Sequence, residues 1–545
     1  MKKFLAFFLA LVMVFGLCAC TGGSSGDDDN GLTADGKVKL SIGIPSNALI
    51  TSHDDNALTR WIEEKCGVEL TFEEFAGGTD VATQISTTIA ARQELPDILL
   101  GIGLTTTQWQ QYGQEGYFVN LTPYYEDKEN ASKIFWERFE NELSEVEQKQ
   151  VLKAMTCVED GQFYGAPTVE TSAIDKQAFQ MWINTQWLDT LNLEMPTDPD
   201  SLYKVLVAFR DGDPNGNGVA DEIPLFGSQQ VAMCGQVVDW LINMFVYYNR
   251  TRPWLVDENG KLEMAYVTDE YREALKYVNK LREEGLLSPL AWTASAAEMK
   301  QINTPSNGTA LCGIFAGHLT SHAVANNMLL EQYEPLPYWG SVVRRDITAQ
   351  ITTFITENCK NPDKAFEVLM AFWSWDGSMR SRYGEYGVNW TDADEGAKSD
   401  MGLDATFKLI ADPLKEQGAQ KWAKMGPVLN IMAEAETAQL SEDMTEWAKL
   451  KSALHAEAYQ NFLTAEEKNN PKTIVTGLTY TEEENDKWAV TRANVGDRYD
   501  KAQTEFCTGV LNPNSDADWN KYLQELKDLG IDDFRNLAQT AYDRG

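Results

Sequence analysis

Basic charge is what this sequence lacks most. Its 545 residues hold 46 Lys and Arg against 82 Asp and Glu, a formal net charge of −36. Nucleic acid and anionic membrane surfaces both need a basic face, so neither is expected as a ligand. Histidine is scarce, with four in all. Cysteine is present but not clustered: after Cys18 and Cys20 come Cys66, Cys157, Cys234, Cys312, Cys359 and Cys507, with no CxxC pair. That is not metal spacing, and it leaves disulfides and buried thiols both open. No HExxH or P-loop occurs. His318 and His322 are spaced i, i+4, but without the Glu of a zinc-protease helix and with no evident third ligand. Low-complexity stretches and short repeats are also missing.

What is present is enough apolar material for real cores, 43% of residues, of which aromatics supply 11% of the chain. A chain this long exceeds the size at which one core stops growing, so two or more lobes are expected.

The N-terminus reads as an address. Lys2 and Lys3 precede FLAFFLALVMVFG, an apolar run too short to span a bilayer permanently. Leu17-Cys18-Ala19-Cys20 follows and resembles the lipobox of bacterial lipoproteins. Residues 1–19 are expected to be removed, leaving Cys20 as the acylated first residue; an ordinary secretory signal cleaved nearby is the alternative. Residues 20–36 are polar and glycine-rich, a flexible tether. The protein is then lipid-anchored on the extracellular face of the cell membrane and touches the membrane through that anchor only.

Past the tether, hydrophobic periodicity predicts strands at 38–45, 68–75 and 96–103, with helices at 56–67 and 80–95 between them. This β-α-β-α-β alternation is the signature of a parallel sheet covered by helices. Beyond residue 176 a strand is predicted around QMWINT, a helix at 268–285, a strand at 312–317 and a helix at 361–374. The fold class is α/β with two lobes and more than one chain crossing.

Several segments, in order, resemble the extracellular solute-binding proteins of ABC sugar importers, in particular the large lipoprotein branch that includes the alginate-binding proteins, and more distantly maltose-binding protein. They are ARQELPDILL (91–100), DGQFYGAP (160–167), MWINTQWLDTLNLEMPTDPDSLYKVL (181–206), DENGKLEMAYVTDEYREALKYVNKLREEGLLSP (257–289), ITENCKNPDKAFEVLMAFWS (355–374), YGEYGVNW (383–390) and the closing WNKYLQELKDLGIDDF. One departure is Asn184-Thr185-Gln186, where the family often has Arg-Lys-Asp. The resemblance implies a class II periplasmic-binding-protein-like fold: a first lobe of 37–170 plus 336–376, a second of 177–335 plus 377–545, and a hinge. It also implies a carbohydrate, an oligosaccharide, held in the interlobe cleft and delivered to the transmembrane subunits of an ABC permease by a monomer. A secreted carbohydrate-active hydrolase and a ligand sensor for a membrane receptor are the alternatives.

DGDPNGNGVADE (211–222) crowds oxygen into a loop that Gly and Pro keep out of helix and strand. Counted from Asp211 it matches D-x-[DN]-x-[DN]-G-x₅-E, ending at Glu222. Counted from Asp213, the ligands become Asp213, Asn215, Asn217, the Val219 carbonyl, Asp221 and Glu222. This second register resembles the calcium loop of the alginate-binding relatives and is preferred, with calcium in a structural role; an acidic turn without an ion is the alternative.

Sugar rings pack their C–H faces on aromatic side chains, while hydroxyls need polar partners. Of 16 tryptophans, Trp61, Trp187, Trp373 and Trp519 sit in apolar helical patterns and are expected to be structural. Candidate ligand residues are Thr106 and Trp109 after the third strand, Glu170 at the first crossing, Trp182 on the crossing strand, Trp240, His318, Tyr386 and Trp390.

Overall fold

The computed structural model describes residues 31–544 apart from 77–79, 171–175, 232–233, 251–252, 306–307, 323–326, 346, 412–420, 423–425, 431–433, 476–477 and 479. The expected signal segment, Cys20 and most of the expected tether lie outside the described residues.

The first sheet starts as the periodicity predicts. Strand Val38–Pro45 pairs in parallel with Val68–Phe75 on one side and with Ile98–Leu99 on the other. Helix Ala57–Cys66 makes the first connection. Asn56 caps it by accepting from the Leu58 N–H, and Gly67 ends it at φ 66°, a left-handed conformation that glycine adopts without strain. The predicted strand at 96–103 keeps ladder pairing only at Ile98–Leu99. Asp97 explains part of this: its carboxylate accepts from both the backbone N–H and the hydroxyl of Ser41 at 2.7 Å, so the side chain replaces a ladder bond. Strand Thr348–Ile355 returns antiparallel beside Ile98–Leu99 and pairs on its other edge with Ala166–Glu170.

The second sheet is Tyr333–Pro335, Met181–Asn184, Cys312–Ala316 and Ile223–Phe226, in that order. Its middle strands are fully buried, and Trp182, Ile183, Ile314 and Phe315 fill a core with helices Pro199–Asp211 and Asp269–Glu283. A separate core lies under the first sheet, around Ile42, Ile62, Ile85, Phe354 and Phe366. Two cores under two sheets are two lobes.

The lobe boundaries differ from the expected ones in two places. Leu336 and Val343 belong to the second core, so the return to the first lobe falls near residue 345 rather than at 336. Strand Leu429–Asn430 pairs in parallel with Val169 and Glu170, and Trp422, Val428 and Leu429 join the first core. The segment 377–545 therefore is not confined to the second lobe: it supplies the edge strand that completes the first sheet. Arg138 holds it there, donating to the carbonyls of Trp373 (2.8 Å) and Leu429 (3.2 Å). A small sheet of Trp390–Thr391, Phe407–Leu409 and Ala438–Leu440 flanks this excursion. The six described cysteines are all free and buried.

Candidate functional site

Where the chain passes between lobes, the outgoing and returning segments run side by side. Gln177 bridges to Arg344, the Arg345 N–H donates to the Lys176 carbonyl at 2.8 Å, and the Ala178 N–H to the Val343 carbonyl at 3.1 Å. Beside this crossing is a cleft of about 580 Å³. One wall is the start of helix Glu145–Met155 of the first lobe; the other is the 247–249 and 470–474 loops of the second; the crossing forms the floor.

The cleft walls are charged. Lys176 sits 3.4 Å from Glu147, and the Arg344 guanidinium forks onto both carboxylate oxygens of Glu466. Glu147 also accepts from the Ser144 N–H and hydroxyl at 2.8 Å each, closing a capping box. Burial pushes the Glu147 carboxyl up, but the Ser144 donors and Lys176 outweigh it and hold it below the usual range. The hydrogen bonds that Arg344 donates to Glu466 raise its pKa further and keep it charged. Behind them, burial holds Glu436 above the usual carboxylate range, against the pull of Lys176, Tyr459 and Arg344.

The predicted ligand residues are scattered. Trp109, Trp182, Trp240 and Trp390 are exposed by only 0–3% and belong to packed cores. Neighbouring side chains cover their rings in this structure, which leaves no open face for a sugar. Trp182 donates its indole N–H to the Gly317 carbonyl at 2.7 Å, and Trp390 donates to the Gly384 carbonyl at 3.0 Å. Trp240 packs at a tilt on Trp339. Thr106 is exposed on the first turn of helix Thr106–Gln114, and Glu170 is half-buried at the end of its strand, beside the crossing. Tyr386 is 42% exposed, and its hydroxyl donates to Asp392 at 2.9 Å. His318 is half-buried, its ring 5.2 Å from His455, and its N–H donates to Nδ1 of the buried His322 at 3.2 Å. Arg344, Arg345, Lys176, Glu147 and Glu466 were missed. The double arginine at 344–345, rare basic charge in an acidic chain, is the one signal that marks this place in the sequence.

The 211–222 loop connects helix Pro199–Asp211 to strand Ile223–Phe226. Gly216 and Gly218 have φ of 68° and 74°, and Asp213 itself has φ 45°, so the backbone coils tightly. The Asp213 carboxylate accepts from the Gly218 N–H at 3.1 Å, and Asn217 Nδ2 donates to Asp221 at 3.0 Å. The Asp221 N–H donates to the Val219 carbonyl at 3.0 Å. Asp211 faces elsewhere, in a forked pair with Arg210 at 2.7 and 2.9 Å. Among the described residues, no three acidic, imidazole or thiol groups are grouped tightly enough to hold a metal by themselves, so a site here depends on amide and backbone oxygens as well. Glu222 is the observation that fits a cation. Its Oε1 is buried without a hydrogen-bond partner, and burial, then the charges of Asp213 and Asp221, raise its carboxyl above the usual range.

No family model matches the chain. It is 24% identical to a fructooligosaccharide ABC transporter substrate-binding protein, FusA of Streptococcus pneumoniae, over 514 residues, 90% of this chain and 87% of that protein. The chain is a relative of ABC-transporter substrate-binding proteins. Further relatives in Bacillus subtilis are the polygalacturonan/rhamnogalacturonan-binding protein YtcQ, 24% identical over 61% of each chain, and the lipoprotein LipO, 31% identical over 32% of this chain and 30% of that one. Solved structures agree on the fold. An EF-hand mutant of FusA with fructo-nystose superposes with a TM-score of 0.64 at 22% identity, covering 93% of this chain and 99% of that one. Alginate-binding AlgQ2 without calcium ion superposes at 0.56 and 20%, covering 93% and 98%. The two-lobed α/β architecture is thus that of the solute-binding proteins. Among the described residues no helix is long and apolar enough to cross a membrane.

Proposed function

We propose that this chain is the capture subunit of an ABC importer: it binds a carbohydrate between its lobes and hands it to membrane permease subunits, without cleaving it. The observation that carries this is the two-lobed fold with an interlobe cleft, together with similarity to a fructooligosaccharide-binding importer subunit over nine-tenths of the chain. Ligand that touches both lobes favours the closed state by its extra contacts there. The relatives' names span neutral and acidic sugars, so they do not choose the ligand. Glu170, beside the crossing, and the exposed Thr106 and Tyr386 stay candidates for hydroxyl contacts. So does His318. Calorimetry against an oligosaccharide panel, with product analysis of the same mixtures, tests the reading. Stoichiometric binding without turnover supports it; turnover of any sugar would replace it with a hydrolase.

Two further features belong to the same reading. Cys20 carries acyl chains that hold the mature protein outside the cell, and LipO supports this only as a lipoprotein relative over part of the chain. Cys20→Ser should release the protein to the medium or leave the precursor uncut. The 211–222 loop holds one calcium through Asp213, Asn215, Asn217, the Val219 carbonyl, Asp221 and Glu222. The unpartnered Glu222 oxygen supports this, and so does the pairing of Asp211 with Arg210, which leaves the Asp213 register free. Calcium neutralises the converging carboxylates and so stabilises the loop.

A further inference from the structure

We infer that the interlobe cleft takes an oligosaccharide carrying anionic groups, carboxylate or sulfate ester, with Arg345 and Lys472 as its charge partners. This rests on the carbohydrate reading above and adds the charge class of the ligand.

The protein carries a net charge of −36, yet the cleft is lined by four cationic side chains, Lys176, Arg344, Arg345 and Lys472, against two carboxylates, Glu147 and Glu466. Both carboxylates are already engaged, Glu147 with Lys176 and Glu466 with Arg344. That leaves two cations over. Arg345 is half-buried and pinned to the crossing by its backbone bond to Lys176, and among the described residues its guanidinium has no carboxylate partner. Lys472 rests its ammonium on the Glu467 carbonyl at 3.1 Å, a neutral acceptor. Glu436 is the remaining acid close to Lys176 and Arg344; it does not line the cleft, and burial favours its neutral form.

A partly desolvated guanidinium gains most from an anion that replaces its lost water, and its planar fork suits a carboxylate or a sulfate. An excess of one sign between low-dielectric walls also concentrates its field, here against the sign of the whole molecule. The volume of about 580 Å³ is that of a small-molecule site, too small for an acidic protein loop with its flanks. Ile347 and Ile474 supply apolar wall beside the cations, and a sugar ring offers C–H faces to match.

The test is calorimetry with trigalacturonate, its methyl ester, a sulfated trisaccharide and kestose. The expected result is that an anionic probe binds, that kestose and the methyl ester bind at least tenfold more weakly, and that affinity falls as salt is raised. Comparing the uronate with the sulfated sugar identifies which anion the cleft accepts. Arg345→Gln should weaken the anionic probe tenfold or more, and Arg345→Lys should recover part of the loss. Lys472→Gln, at an exposed position, gives a second reading free of folding effects. Kestose or the methyl ester bound as tightly as the acid would overturn this inference while leaving the carbohydrate reading standing. Binding of no sugar, charged or neutral, would overturn both.

Discussion

Asp211 and Arg210, neighbours in sequence, form a forked ion pair at 2.7 and 2.9 Å that turns Asp211 away from the loop it begins. The loop's other acids, Asp213, Asp221 and Glu222, repel one another instead. Asp221→Asn should therefore weaken calcium binding more than Asp211→Asn, measured by calorimetry. The reverse ranking would favour the register that begins at Asp211. With calcium at about a thousandfold over its Kd, stripping it should cost about 4 kcal/mol, read as a lower Tm in chelator; no metal effect on Tm would reject the site.

The same acids set a pH dependence. The folded, ion-free protein raises the Glu222 pKa above its unfolded value. That contribution to stability is fully present below the unfolded pKa and is lost as pH rises through the folded pKa. Ion-free protein should thus lose stability from this group as pH climbs through and above the ordinary carboxylate range, and saturating calcium, which binds the ionised form, should reverse the trend. Glu222→Gln should flatten both curves.

Trp182→Ala should destabilise the protein by about 3–5 kcal/mol, because it empties a fully buried site and removes a donor from Gly317. Trp390→Ala should do likewise in the small third core. Denaturant melts decide this: unchanged stability with lost sugar affinity would restore these residues to the ligand.

Arg138 is buried and joins a helix of the first lobe to the carbonyls of Trp373 and Leu429 and to Ser378 Oγ at 3.0 Å, with Glu142 as its counter-ion. Arg138→Met should leave Glu142, only partly buried, to seek water, but should orphan the carbonyls. A loss of about 2–4 kcal/mol is expected. Amide exchange should quicken first at 428–430, the strand the guanidinium anchors. Uniform exchange across the first lobe would show that the arginine acts only as general packing.

The six described thiols should be silent toward disulfide reagents in the native protein. Burial raises Cys66 to about 11 and Cys359 to about 12, and Cys312 and Cys507 are raised by burial too. Reductant should leave Tm unchanged. Fast labelling of any of the six at pH 8 would contradict their placement.

Elements with a clear period and a cap were legible before the structure. The first helix was read from its apolar spacing, and Gly67 from its stop signal. The helix Asp269–Glu283 followed Tyr271, Leu275 and Val278 along one face to Gly285. The two-residue strand Leu429–Asn430 was not legible, because a strand so short carries no period; its partner, Val169, lies some 260 residues away. The burial of the aromatic candidates was not legible for a related reason. Loop position after a strand says where a side chain starts, not whether neighbours from distant segments cover it, as the His455 ring packs against Trp182. The charged cleft escaped because its parts come from five separate stretches, at 144–150, 176, 247–249, 344–347 and 466–474.

The late strand at 429–430 also orders events in time. The first sheet begins at Val38, yet it cannot close until the ribosome has made nearly four hundred residues more, and the second core waits on Phe534 and Ala538 near the C-terminus. Long-separated pairings of this kind form slowly. Neither core is complete until these late segments have been made, so the polypeptide stays threadable until then. On the proposal of an exported, lipid-anchored protein, that delay would keep the chain fit for passage through a narrow export channel.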